Sequence, residues 1–141
     1  MSEKAIEYSL EDLEIHYDDF EFGKYLRAVR QAKGISIRQL AKDVNKTPTY
    51  LSDIENGHNK PPEKELLETI IKKLNLEDCP KVKTALFDLA AKDRNDIPAD
   101  IKEHMLNNKP LLDLIRKIKN SSNECDVLLS VQKIINELGG T

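Results

Sequence analysis

The sequence predicts an all-α protein, a five-helix domain followed by a helical C-terminal extension, and three observations carry that expectation. Leu, Ile, Lys and Glu are abundant and aromatics make up only 5% of the 141 residues, a composition suited to helices. Strand-like alternation of apolar and polar residues is nearly absent. Residues 34–57, GISIRQLAKDVNKTPTYLSDIENG, set two short apolar-periodic segments on either side of a polar turn, the second closing on glycine.

Residues 1–19 form an acidic arm, with one Lys against seven Asp or Glu and too few apolar residues to fold alone. It reads as a solvated leader, although Leu10, Leu13 and Tyr17 recur at helical spacing and allow part of it to dock. An arm so acidic is also a candidate DNA mimic, competing for a basic face. The first helix of the domain is expected over Phe20–Lys33, with Phe22, Leu26 and Val29 inward and Gly34 ending it. Ile37, Leu40, Ala41 and Val44 then share one face of a second helix, for which Ser36 stands as N-cap. Tyr50, Leu51 and Ile54 do the same for a third, opened by Thr47 as cap and Pro48 in the first turn and ended by Gly57. Between them a steep crossing needs a small residue at the contact and one tolerant of positive φ in the turn. Ala41 and Asn45 supply these, so the segment is a helix-turn-helix whose third helix leaves with its first turn exposed.

His58-Asn59-Lys60-Pro61-Pro62 forms a loop whose prolines prevent the third helix from continuing. A fourth helix over Glu63–Leu74 offers Leu66, Leu67, Ile70, Ile71 and Leu74, and Pro80 starts a fifth, with Val82, Leu86 and Leu89 inward, up to Ala91. Lys92-Asp93-Arg94-Asn95-Asp96 contains no apolar residue and reads as a hinge, which divides the chain into residues 1–19, 20–92 and 93–141. Beyond it Pro98 and Pro110 each open a helix, and a last helix over Glu124–Leu138 carries a continuous apolar band. An extension of this size is too small for an autonomous core, so it is expected to pack on the domain, on a second copy or on another protein. The expected dimer or partner surface is Val127, Val131, Ile134 and Leu138.

Leu26, Arg30, Gly34, Ser36, Leu40-Ala41, Thr47-Pro48-Thr49-Tyr50-Leu51-Ser52 and Ile54-Glu55-Asn56-Gly57 together carry a resemblance. Over residues 20–76 the chain resembles the phage-repressor-like, Xre or Cro type helix-turn-helix regulators. It departs from their pattern at Ile37, where a polar phosphate-binding residue is usual, and at Asn45, where glycine is usual. The resemblance implies a repressor-like domain, a buried ion pair between Arg30 and Glu55, base contacts from Pro48, Thr49 and Asp53, and phosphate contacts from Ser36 and Asn56. Thr47 and Ser52 complete the exposed face expected in the major groove. Charge and placement add Arg38, Lys46 and Lys60 to the phosphate set, with the Tyr50 hydroxyl. Asp53 is as well suited to an ion pair with Lys46 or another base on the surface as to accepting from a cytosine amino group.

The net charge of −3 is unlike that of a DNA binder until it is divided along the chain. Residues 1–19 carry 1 − 7 = −6, residues 20–75 carry 11 − 7 = +4 and residues 76–141 carry 10 − 11 = −1. The positive excess coincides with the helix-turn-helix. Double-stranded DNA is therefore the expected partner. The implied function is a sequence-specific transcriptional regulator, a repressor acting on a palindromic operator as a homodimer. The rival is an antitoxin or adaptor whose C-terminal helices grip a toxin or protein antagonist while DNA binding serves autoregulation. An enzyme is not expected: His16, His58 and His104 are isolated, and no phosphate-cradling glycine loop or helical His-Glu pair occurs. Cys79 and Cys125 lie far apart without Cys-x-x-Cys spacing, so they are read as reduced, partly buried thiols. No metal or cofactor is expected. No apolar run suits a membrane and the first residues lack the apolar core of a signal peptide, which together suggest a cytoplasmic protein.

Overall fold

The computed structural model describes residues 7–139. Among them lie nine α-helices and two 3-10 turns and no strand. The helices are α1 (Leu10–Ile15), α2 (Phe22–Ala32), α3 (Ile37–Asp43), α4 (Pro48–Glu55), α5 (Lys64–Lys73), α6 (Pro80–Arg94), α7 (Ala99–Leu106), α8 (Lys109–Lys119) and α9 (Glu124–Glu137). Two compact units are present, the first ending at Asp100 and the second beginning at Ile101.

In the first unit α2–α6 are the five helices the sequence predicts, and α1 precedes them as a sixth. Its start is a capping box: Ser9 Oγ accepts from Asp12 N at 3.1 Å and the Asp12 carboxylate accepts from Ser9 N at 3.2 Å. Leu13 is fully buried, and the Tyr25 hydroxyl donates to the Leu13 carbonyl at 2.9 Å. Tyr8, Phe20 and Tyr25 stack edge to face with ring centroids 5.2 and 5.4 Å apart. The stretch from Tyr8 onward is thus part of the core rather than a solvated leader, because one leucine and an aromatic ladder give it apolar surface to cover. Residues 1–6 of the acidic arm lie outside the described residues. Burial, with the charges of Glu14 and Tyr17, pushes the Tyr25 phenol well above its usual value, so it keeps the proton it donates to Leu13 beyond the pH at which a free phenol ionises. The same ladder holds Phe20 outside α2, which starts two residues later than its periodicity suggests.

Leu26, Val29, Leu40, Ala41, Leu51, Ile54, Leu67, Ile70 and Leu86 meet in one core. Helix α6 reaches Arg94 instead of stopping at Ala91, and Asn95 ends it in the left-handed conformation at φ +53°. The charged stretch read as a hinge is therefore mostly helix. Arg94 explains why: it pairs with Glu63 at 2.7 Å and donates to the Pro61 carbonyl, fixing the last turn of α6 to the loop before α5.

Asp88, partly buried on α6, has its carboxyl pushed up from 3.8, by burial first and then by Asp100 and Asp18. A carboxyl that holds its proton longer folded than unfolded favours the fold in acid and penalises it as pH rises through its folded pKa. Asp88→Asn is accordingly expected to raise the melting temperature at pH 7 and leave it unchanged below the ordinary value of 3.8, which thermal unfolding at both pH values checks.

In the second unit Asn108 caps α8, accepting from Leu111 N at 3.0 Å, and Asp113 pairs with Arg116 at 3.2 Å and Lys109 at 3.5 Å. α8 packs on α9. No described residue beyond Ile101 is buried. On α9, Val127 and Val131 are half-buried, whereas Ile134 and Leu138 are exposed. Cys79 is half-buried; Cys125 is exposed, unlike the partly buried thiol expected, since it lies in the first turn of α9 off the apolar band.

Candidate nucleic-acid interface

The site begins with two capped helices. Ser36 Oγ accepts from Gln39 N and Thr47 Oγ1 from Tyr50 N, each at 3.1 Å, so α3 and α4 start where the sequence places their caps. Asn45 turns the chain at φ +58°, and Lys46 N donates to the Ala41 carbonyl at 2.8 Å, closing the end of α3 over fully buried Ala41. Gly57, at φ +79°, ends α4, and His58 N donates back to the Asp53 carbonyl at 2.8 Å.

Leu51 and Ile54 anchor α4 in the core. Thr47, Pro48 and Thr49 are exposed, while Tyr50, Ser52 and Asp53 are partly exposed. The opening turn is therefore free to meet a surface, and its side chains are short enough to let a backbone enter a groove. Of the phosphate candidates, Ser36, Arg38, Lys46, Asn56 and Lys60 are exposed. The Lys46 ammonium lies 5.2 Å from the Tyr50 ring centroid, a cation–π contact that holds both at the start of α4. Asp53 faces His58, Oδ1 to Nδ1 at 3.8 Å, rather than Lys46. Lys60 precedes Pro61 and Pro62, both buried, so the loop that carries it is anchored by its prolines and by Arg94.

Glu55 is the hub behind α4. It is 2% exposed and takes Arg30 Nε on Oε2 at 2.8 Å and Arg30 Nη2 on Oε1 at 2.9 Å, a two-pronged pair between the end of α4 and the end of α2. The remaining nitrogen, Arg30 Nη1, donates to the Ile35 carbonyl at 2.9 Å, one residue before the α3 cap. Arg27, which helical periodicity places outward with Lys24 and Lys33, joins this hub. Its Nε donates to Glu55 Oε1 at 3.3 Å and its Nη2 donates to Asn56 Oδ1, while Asn56 Nδ2 donates to Ser52 Oγ at 3.2 Å. The signal was available: Arg27 lies three residues before Arg30, on the same face of α2. Gly23 was also missed. A Cβ there would stand 2.3 Å from the Ile54 carbonyl oxygen and 2.7 Å from that of Glu55, so its bare Cα lets α2 touch the last turn of α4. Its signal was a small residue three before Leu26 on the inward face.

Among the described residues, no group of three His, Cys, Asp or Glu side chains could hold a metal ion, and no helix is long and apolar enough to cross a membrane. Residues 26–78 match the helix-turn-helix family model. No curated protein and no solved structure matches the chain. The matched stretch runs from inside α2 past α5 and contains the capped α3 and α4, the Asn45 turn and the Glu55 hub, so in sequence and geometry this part of the chain matches the Xre/Cro-like helix-turn-helix family of DNA-binding regulators.

Proposed function

We propose that the protein is a sequence-specific double-stranded DNA-binding transcriptional repressor that grips a palindromic operator as a dimer, with α4 in the major groove. The observation that carries this reading is the exposed, capped first turn of α4 held on a rigid base by Leu51, Ile54 and the Glu55 ion pairs. Pro48 and the Thr49 methyl suit a thymine methyl, and Asp53 suits a cytosine amino group. Ser36, Arg38, Lys46, Tyr50, Asn56 and Lys60 would meet phosphates on either side. One module makes few base contacts, so two related by a two-fold axis, their α4 helices about 34 Å apart, are needed for useful specificity.

Selection from a random duplex pool is expected to enrich a two-fold symmetric site. With about eight to ten phosphates neutralised by the dimer, affinity for that site should fall about 10⁴–10⁵-fold between 50 and 200 mM salt. Thr49→Ala is expected to cost about 1–3 kcal/mol and to relax preference at its base pair, whereas Arg38→Ala weakens all sequences alike and lowers the salt slope. A salt-independent affinity, or the absence of any enriched site, would show that this face does not dock on DNA.

A further inference from the structure

We propose that α8 and α9 of two chains assemble into an antiparallel four-helix bundle in which α8 of each chain lies beside α9 of the other. This deepens the dimer reading above by naming the partner as a second copy and specifying how its helices are paired.

The first observation is that the hairpin has no interior. From Ile101 to Gly139 no residue is buried, while Leu114, Ile115, Leu128, Ile134, Ile135 and Leu138 stand exposed. Two helices of this length cannot cover their own apolar faces. The second observation is the width of the band on α9. Val127, Val131, Ile134 and Leu138 follow 4-3-4 spacing, and Leu128, Val131, Ile135 and Leu138 follow 3-4-3 spacing, so the helix carries two overlapping seams of the kind that pack against neighbouring helices. Val127 and Val131 are half-covered within the hairpin, whereas Leu128 and Ile135 of the second seam are open. The hairpin covers only the two valines at the start of the band; the rest of it, Ile134 and Leu138 included, awaits a helix from elsewhere. α8 shows the same division, with Leu111 and Ile118 half-covered and Leu114 and Ile115 exposed.

Charge identifies the occupant and which of its helices pair. α8 carries Lys109, Arg116, Lys117 and Lys119 against Asp113, which is 4 − 1 = +3. α9 carries Lys133 against Glu124, Asp126 and Glu137, which is 1 − 3 = −2. Pairing like helices across the interface would set +3 on +3 and −2 on −2. Pairing unlike helices sets +3 against −2 twice, as a two-fold axis requires. The hairpin is thus complementary to itself in charge as well as in apolar surface.

The test uses the full chain, without DNA, in sedimentation equilibrium. The native protein is expected to be a dimer, and the doubly substituted Leu128→Asp/Ile135→Asp variant a monomer whose helix content and core melting transition are unchanged. Reversing α8 alone (Arg116→Glu, Lys117→Glu, Lys119→Glu) should raise the dimer dissociation constant by about 10-fold or more, and so should reversing α9 alone (Glu124→Lys, Asp126→Lys, Glu137→Lys). An equimolar mixture of the two reversed proteins is expected to recover a mixed dimer. Damage confined to each hairpin would not produce that recovery. A monomeric native protein overturns the proposal, as does a dimer that survives the Leu128/Ile135 substitutions. Charge-reversed variants that dimerise like the native chain overturn the pairing of unlike helices. A hairpin that stays monomeric and instead holds a foreign protein in a one-to-one complex overturns it too. Because DNA is absent, failure here leaves the reading of α4 untouched, and an inactive α4 leaves this measurement untouched.

Discussion

Gly23→Ala is expected to lower the melting temperature by about 10–20 °C, corresponding to about 2–3 kcal/mol of overpacking in a domain of this size. The added methyl group would sit 2.3 Å from the Ile54 carbonyl oxygen and 2.7 Å from that of Glu55, and both are backbone atoms that cannot rotate away. Relief requires α2 and the end of α4 to separate, which stretches the Arg30–Glu55 pair, 2.8 Å long in the native chain. Gly34→Ala provides the contrast. Nothing lies within 4 Å of its added methyl, and only the left-handed backbone at φ +70° penalises it, so a loss of about 1–2 kcal/mol is expected there. Thermal unfolding followed by circular dichroism separates the two. If Gly23→Ala melts within a few degrees of the native protein, α2 and α4 do not approach as closely as described. In the folded fraction, operator affinity should also fall for Gly23→Ala and hold for Gly34→Ala, because only the former moves the helix proposed to enter the groove.

The comparison between these glycines shows what the sequence makes legible and what it hides. Gly34 and Gly57 follow apolar-periodic segments and read directly as helix ends, and Asn45 reads as the turn, because such punctuation is local in sequence. Ser36 and Thr47 likewise announce the helices they cap. Gly23 acts through a neighbour more than thirty residues away: its place on the inward face of α2, three before Leu26, is readable locally, but the end of α4 that it meets is not. The docking of α1 was hidden for a related reason: seven acidic residues dominate the composition of residues 1–19, while the fold depends on Leu13 and on the ring of Tyr8. Charge content describes the solvated face of a short helix and says little about its buried one. The end of α6 was misplaced because Lys92-Asp93-Arg94 lacks apolar residues, yet Arg94 is held by Glu63 and the Pro61 carbonyl, partners only the fold supplies. Of the candidate interface, the exposed turn of α4 was readable from cap and proline. The Arg27 link to Glu55 and Asn56 was not singled out, since a partly exposed arginine looks like any other surface charge until its partner is placed.

Glu55→Ala is expected to cost about 3–5 kcal/mol, because it leaves the Arg30 guanidinium buried without its counter-charge. Arg30 is 9% exposed and Glu55 2%, so water cannot replace the lost carboxylate without opening the joint between α2 and α4. Replacing both partners by apolar residues of similar volume, Arg30→Met with Glu55→Leu, removes the two desolvation penalties together and should return most of the stability. That double variant separates two roles the pair could play. Besides joining α2 to α4, Arg30 holds the Ile35 carbonyl just ahead of the Ser36 cap, and Glu55 shares Arg27 with Asn56. Ser36 and Asn56 are both proposed to meet phosphates, so one ion-pair cluster orients contacts at the two ends of the helix-turn-helix. A folded double variant is therefore expected to bind its operator about 10-fold or more weakly than the native chain, the loss of roughly one charge-assisted contact per half-site. Affinity equal to native at equal stability would mean that the cluster only joins the two helices and that the phosphate contacts are set by the caps alone.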